Sequence, residues 1–265
     1  MKLIKPEVID ITQTDYSLKG IYKQIELAGR TCYKSEDRIT EDSAEPFVEM
    51  LIDRGHTAML EHGTVYLKFK HDFKYAEPFY SSPYSDVTLA LATDTAYITT
   101  NLRAVNELNM QYILYPEFMH YEQGIHQPRC SFRIICSIGI ARELCRHRVF
   151  SFAQESTRYC NYGKEKFGEM SFIEPYWYKD ADFMSQYLFK SSLESSSVSY
   201  MAMINNKMMA QQAREVLPLA TKTELVMTGT VSQWKAFLKL RLDKAAHPDM
   251  RIVAQKISDL LKKYE

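Results

Sequence analysis

The chain has 265 residues, 46% hydrophobic and 25% charged, a balance that suits a folded globular protein and excludes a disordered one. Its 33 Lys and Arg offset 33 Asp and Glu for a formal net charge of +0, so no whole-molecule field draws it to nucleic acid or an anionic membrane. Any anion binding must come from a local cluster.

Taken in chain order, Glu7 to Thr12 reads as a short strand and Leu18 to Ala28 as a helix. The next helix is marked by Ser43 as cap, Pro46 in the first turn and Gly55 as stop. Val65 to Lys70 alternates as a strand does. From about Phe73 to Pro128 the chain is irregular and Tyr-rich, punctuated by Pro78, Pro83, Pro116 and Pro128. Within it, Ala96 to Thr100 suits a strand and Leu102 to Tyr115 an amphipathic helix. Phe132 to Ser137 is predicted as a strand, Ile140 to His147 as a helix, and Tyr176 to Tyr178 as the wall of a loop. A largely helical stretch follows from about Asp182 to Val216, with a turn at Asn205-Asn206, a weak or exposed turn at Ser195 to Ser197 and a stop before Pro218. Two last helices cover roughly Ser232 to Lys244 and Asp249 to Lys263. With no internal repeat and no clean linker, one α+β domain carrying an insertion is expected.

The N-terminus has no apolar run suited to a signal peptide, and the longest apolar stretch, around Ile134 to Ala141, is too short to span a bilayer. Cys32, Cys130, Cys136, Cys145 and Cys160 form an odd set without CxxC spacing, which predicts reduced thiols in a cytoplasmic protein and no structural metal site. Four of the five have aromatic or aliphatic neighbours, where Cys serves as a small apolar filler.

The chemistry concentrates between Arg142 and Arg158, which hold four arginines, one histidine and no lysine. Guanidinium forks bind phosphate oxygens at two points and stay charged when partly buried. Phe150, Phe152 and Tyr159 are interleaved with Ser151, Gln154 and Ser156, so groups for phosphate, base edge and stacking occur together. The bland reading is a helix end whose arginines pair with Glu143 and Glu155. Arg241 stands out separately, because Trp234, Phe237, Leu238 and Arg241 share one helix face. A charge on an apolar stripe needs a partner, either a carboxylate such as Asp243 or Asp249, or a ligand.

Arg146-His147-Arg148 followed after seven residues by Ser156, and then Arg158-Tyr159, resembles the signature of the flavin-dependent thymidylate synthases. Gly55-His56 with Leu60-Glu61-His62, Ala28-Gly29-Arg30-Thr31-Cys32-Tyr33, Ala213 to Pro218 and Phe237 to Arg241 resemble further blocks of that family. The similarity covers about 1–67 and 130–256. It implies the family's α+β fold, a twisted, mainly antiparallel sheet flanked by helices, in a single domain spanning 1–265 with a Tyr-rich insertion at about 68–129. The insertion could cover the active site, extend a subunit interface or elaborate the surface.

The resemblance also implies an activity, the conversion of dUMP to dTMP. Its carbon donor is 5,10-methylenetetrahydrofolate, its reductant is NADPH acting through FAD, and its folate product is tetrahydrofolate. Carried over by position, Ser156, Arg158 and Arg214 hold the dUMP phosphate and sugar, with Glu143 and Gln154 on the nucleotide and Arg241 at the pyrimidine carbonyl. His56, Glu61, Arg146, His147, Arg148, Gln154 and Thr230 line FAD. Arg241, Ser156 and His56 are the candidate catalytic residues, although Ser156 has no evident base to activate it. No cysteine nucleophile and no metal is implied, and the family's homotetramer makes shared active sites. The chain departs from the family pattern at Glu143, Ala58, Ala153, Thr230, Ser232 and His247-Pro248-Asp249. A degenerate member that binds dUMP or FAD without turnover is the alternative. A nucleic-acid binder would need a basic pI, and this one is ≈ 7.0.

Overall fold

The computed structural model describes residues 1–163 and 169–264. Strands β1 (Lys2–Ile4) and β2 (Glu7–Asp10) lead into helix α1 (Leu18–Tyr33), whose first turn is capped by the Ser17 hydroxyl. The helix runs five residues past Ala28, through Gly29 to Tyr33, and stops where Lys34 turns left-handed. Helix α2 (Ala44–Asp53) begins after Ser43 as expected, yet that hydroxyl does not cap it, because it donates to Glu26 Oε2 and accepts from the Thr40 amide. Gly55, with φ +69°, supplies the left-handed turn that ends the segment. A 3-10 turn (Thr57–His62) then carries His56 at its start and Glu61 near its end.

Strands β3 (Thr64–Lys70), β4 (Asp86–Ala90) and β5 (Thr95–Asn101) form an antiparallel sheet of order β3-β5-β4. The largely irregular region therefore holds β5 where Ala96 to Thr100 suits a strand, and β4 in addition, and every residue of β5 is buried. It is no surface elaboration. Its inner face shares a core with Ile21 and Ile25 of α1 and with Phe47, Val48 and Leu51 of α2. Helix α3 (Leu102–Glu107), capped by Asn101, is shorter than the stretch to Tyr115, because the chain turns left-handed at Asn109.

Strand β6 (Arg129–Ser137) leads through the cap Ser137 into α4 (Ile138–Leu144), and β7 (Ser151–Gln154) follows. Strand β8 (Ser171–Ile173) pairs with β1 in parallel. Trp177 then leads into α5 (Phe183–Asn205), continuous through Ser195 to Ser197 with no turn there, and a short α6 (Ala210–Ala213). Strand β9 (Lys222–Thr230), which periodicity did not reveal, lies at the centre of an antiparallel sheet of order β2-β6-β9-β7. Helices α7 (Val231–Arg241) and α8 (Pro248–Leu261) complete the fold.

The four-stranded sheet is covered on both faces. Leu225 and Met227 of β9 pack with Phe132, Trp234, Phe237, Met250 and Ile257, beneath α4, α7 and α8. Val226 turns the other way, onto Ala28 and Cys32 of α1. Such a mixed, mainly antiparallel arrangement with covering helices is α+β. Among the described residues, no helix is long and apolar enough to cross a membrane.

The two larger sheets are braced through polar groups. The Arg129 amide donates to the Tyr66 hydroxyl at 2.9 Å, and its guanidinium donates to the carbonyls of Thr100 and Glu61 at 3.1 and 3.0 Å. Beside it, His62 is wholly buried, with Nδ1 2.8 Å from Thr228 Oγ1. These contacts fix the 3-10 turn that carries Glu61.

Candidate functional site

The signature segment starts just after α4, runs through β7 and ends in the turn that follows it. Its backbone is pinned at both ends: Phe150 N donates to His147 O, and Ser156 N donates to Cys32 O of α1 at 2.9 Å. Phe150 lies against Gly229, where an added Cβ would come within 2.4 Å of the ring, so only glycine permits this approach.

Arg241, Glu143 and His147 meet at one point. Arg241 ends α7, its apolar neighbours Trp234, Phe237 and Leu238 buried as the stripe predicts. Its Nη1 donates to Glu143 Oε2 at 3.1 Å, Nη2 to the Glu143 carbonyl at 3.3 Å and Nε to His147 Nε2 at 2.8 Å. The carboxylate partner is therefore Glu143 across the site, and neither Asp243 nor Asp249. Asp249 instead accepts from the Tyr176 amide, and Asp243 from that of Ala245. Three of the five guanidinium N–H groups are engaged, which leaves two to address a ligand. Because His147 Nε2 accepts, its imidazole is neutral with the proton on Nδ1. Burial, and then the charge of Arg241, hold its pKa below the ordinary value. The ring packs edge-on against Phe237 at 4.8 Å.

Glu143 also borders a cavity of about 390 Å³ whose far wall is Pro175 and Trp177, as the aromatic stretch at Tyr176 to Tyr178 suggested. Gln154, on β7, donates to Thr223 Oγ1 at 3.3 Å and is 3.9 Å from the thiol of Cys145, two residues after Glu143.

A second group comprises Ser156, Arg158 and Arg214. Arg214 Nη1 donates to Thr157 Oγ1 at 3.4 Å and its Nε lies 3.5 Å from Glu215, so this cation borders the Ser156-Thr157-Arg158 turn. Arg158 is exposed above the ring of Tyr159, which in turn packs on Tyr33 at 5.5 Å. The Ser156 hydroxyl forms no hydrogen bond among the described residues.

His56 lies apart from Glu61 and Arg148. It lines a cavity of about 450 Å³ with Arg30, Arg38, Arg54, Tyr33 and Tyr159. Arg30 is tied to Glu26 at 2.9 Å, while the guanidinium groups of Arg38 and Arg54 are unpaired among the described residues. Arg30 and Tyr33 fall in a block that resembles the family with no role implied for them, and nothing in the sequence marks Arg38 and Arg54. Clustering on one wall is a property of the fold and leaves no mark in their spacing.

Glu61 and Arg148 line a third cavity, of about 480 Å³, with Phe150, Phe152, Gln233 and Tyr84. Glu61 pairs with Arg103 at 2.6 Å, whereas the Arg148 guanidinium has no partner among the described residues. Arg146 is likewise exposed and unpaired. The structure places Thr230 as the cap of α7: its hydroxyl accepts from the Gln233 amide and sits 2.9 Å from Ser232 Oγ. Gln233, to which the family resemblance assigns no role, lines the third cavity.

The remaining candidates resolve simply. Glu155 is buried and accepts from Lys222 Nζ at 2.9 Å, Tyr162 Oη at 2.9 Å and the Glu224 amide at 3.2 Å, so no signature arginine pairs with it. All five cysteines are thiols outside any disulfide, and all but Cys145 are buried. Burial pushes the Cys32 and Cys130 thiols up to about 12, and raises Cys136 and Cys145 as well. These four thiols stay protonated and poorly nucleophilic near neutral pH.

Known proteins similar to this chain bear on the site. A family model described as thymidylate synthase complementing protein matches residues 81–264, which include the whole signature, Arg214 and Arg241. The chain is 25% identical over 259 residues to a flavin-dependent thymidylate synthase of Corynebacterium efficiens, covering 94% of this chain and 78% of that protein. It is 24% identical over 254 residues to the protein of that name from Corynebacterium glutamicum, covering 89% and 74%. A flavin-dependent thymidylate synthase of Pyrococcus furiosus is 30% identical over 128 residues, 48% of this chain and 52% of that protein. With well over half its length matched, signature included, the chain belongs to the thymidylate synthase complementing protein family.

Proposed function

We propose that the chain is a flavin-dependent thymidylate synthase, a methyltransferase that makes dTMP from dUMP with 5,10-methylenetetrahydrofolate and NADPH and releases tetrahydrofolate. The observation that carries this reading is the Arg241–Glu143–His147 cluster, a half-buried cation oriented by two partners, with two N–H groups to spare. A guanidinium so fixed stabilises negative charge as it develops on a pyrimidine carbonyl, without reorganising at that moment. Neutral His147 adds to the orientation without adding a second charge. Ser156, Arg158 and Arg214 bind the phosphate and sugar, with Gln154 and Glu143 on the nucleotide.

The donor set of the third cavity fits a flavin nucleotide: the free guanidinium of Arg148 for phosphate, polar Glu61 and Gln233, and aromatic walls from Phe150 and Phe152. In this reading Arg146, His147, Arg148, Glu61, Gln154 and Thr230 hold FAD, and His56 lies on the folate and reductant side. When bound, the flavin supplies the hydride that completes the methyl group. The protein's own residues bind, orient and exclude water. Ser156 acts as a binding group, since no base adjoins its hydroxyl among the described residues.

Within one chain these residues line separate cavities, two of which carry arginines unpaired among the described residues, Arg38 and Arg54 in one and Arg148 in the other. That separation supports a homotetramer in which neighbouring subunits complete one another's sites. Reduced, largely buried thiols support a cytoplasmic setting. The engaged hydroxyls of Thr230 and Ser232 favour one rival reading, a member that binds dUMP without holding FAD well enough to turn over. Purified protein tested for bound flavin and for dTMP formation decides between them. The proposal expects a yellow protein that makes dTMP only with methylenetetrahydrofolate and a flavin reductant. A colourless protein that takes up no FAD and makes no dTMP refutes it.

A further inference from the structure

The Tyr-rich segment at about 68–129 reaches into the cavity that holds Glu61 and Arg148. Pro83 and Tyr84, just before β4, form one wall of that cavity, opposite the Phe150 and Phe152 side chains of the signature segment. Tyr84 is half-buried, and its ring is held from behind: the Arg103 guanidinium lies 5.3 Å from the ring centroid. Arg103 is itself fixed at two points, Nη1 to Glu61 Oε1 at 2.6 Å and Nε to Glu107 Oε1 at 2.7 Å. The next residue is tied down as well, Ser85 Oγ lying 2.8 Å from Thr100 Oγ1 of the buried strand β5. The Tyr84 hydroxyl has no hydrogen bond among the described residues. An aromatic ring clamped by a doubly anchored arginine, facing a cavity with a free cation, is arranged for a flat anionic ligand.

We infer that Tyr84 is a cofactor-positioning residue, the wall against which a flat ring of the flavin nucleotide stacks, and that the segment at about 68–129 supplies it. The inference rests on the proposed flavin-dependent reading. Arg103 couples the two parts of the site, because the same guanidinium orients the Tyr84 ring and the Glu61 carboxylate.

The test is titration of the flavin-free full-length protein with FAD, followed by flavin fluorescence, together with its Tyr84→Ala, Tyr84→Leu and Tyr84→Phe variants. Thermal unfolding of each variant without flavin checks that it folds. Stacking of a heteroaromatic ring on an aromatic side chain is lost on truncation at a cost that weakens binding roughly tenfold. Tyr84→Ala and Tyr84→Leu are expected to raise the FAD Kd by roughly that factor, and Tyr84→Phe, which keeps the ring, to stay within about twofold. Leu keeps the apolar bulk, so its loss of affinity assigns the effect to the flat ring. FAD binding by Tyr84→Leu or Tyr84→Ala as tight as the parent overturns the role of Tyr84 and leaves the flavin-dependent reading in place. Failure of the parent protein itself to bind FAD overturns that reading instead. Should Tyr84→Ala not fold, the Leu and Phe pair still decides.

Discussion

Acid should loosen this protein at one identifiable point, His62. The side chain is fully buried, with Nδ1 bonded to Thr228 and Nε2 directed toward the Phe152 backbone without a formed hydrogen bond. Burial, and then the neighbouring Arg129 charge, lower its pKa from 6.5 to about 3. The unfolded chain therefore binds the His62 proton more readily than the native one. The contribution is complete above the unfolded value near 6.5 and is lost as pH falls toward about 3. Between pH 7.5 and pH 5 this single group removes about 2 kcal/mol of stability, at about 1.4 kcal/mol per pH unit once below its unfolded pKa. His126 and His147 are shifted in the same direction and steepen the fall. The assay is urea unfolding at both pH values, for the parent and for His62→Gln, which cannot titrate. Loss of native packing makes the variant less stable at pH 7.5, but the gap between the two should narrow by about 2 kcal/mol at pH 5. A gap that does not change with pH would refute the account of His62 as a buried neutral base. Because His62 follows Glu61 in the 3-10 turn, the same acid step should weaken the Glu61 cavity first.

Other substitutions address the site and its scaffold. Arg241→Ala should abolish dTMP formation while the protein still folds and retains FAD, and a near-normal rate would remove Arg241 from the site. Cys145→Ala and Cys160→Ala should each leave turnover intact, since no thiolate is required; loss of activity with flavin still bound would demand a cysteine mechanism. Gly229→Ala forces a Cβ to within 2.4 Å of the Phe150 ring. Thermal or urea unfolding should show a loss of about 1–3 kcal/mol, and an unchanged midpoint would contradict the close packing described.

The parts of the fold legible in the sequence are those whose apolar residues keep a regular period. The stripe Trp234, Phe237 and Leu238 marked α7, and alternation marked β3. Strand β9 escaped because it is buried on both faces: Leu225, Val226 and Met227 are consecutive apolar residues serving two different cores, so no period of two survives. Strands β1 and β8 are three residues each and exist through their mutual pairing, which no local pattern encodes. Helix α1 outran its expected end because Arg30 is held within it by Glu26 one turn earlier. The site was legible in its arginines and illegible in its pairings. Arg241 called for a partner, and only the packing of α4 on α7 makes that partner Glu143 and brings in His147. Thr230 also caps α7, because the chain turns from β9 into α7 there, and its place in the sequence does not reveal that second duty.

The account stands most directly on the folate released during turnover. With dUMP, 5,10-methylenetetrahydrofolate, FAD and NADPH, the protein should form dTMP together with tetrahydrofolate, and omission of NADPH should stop the reaction. Release of dihydrofolate, or dTMP formation that persists without NADPH and FAD, would contradict it.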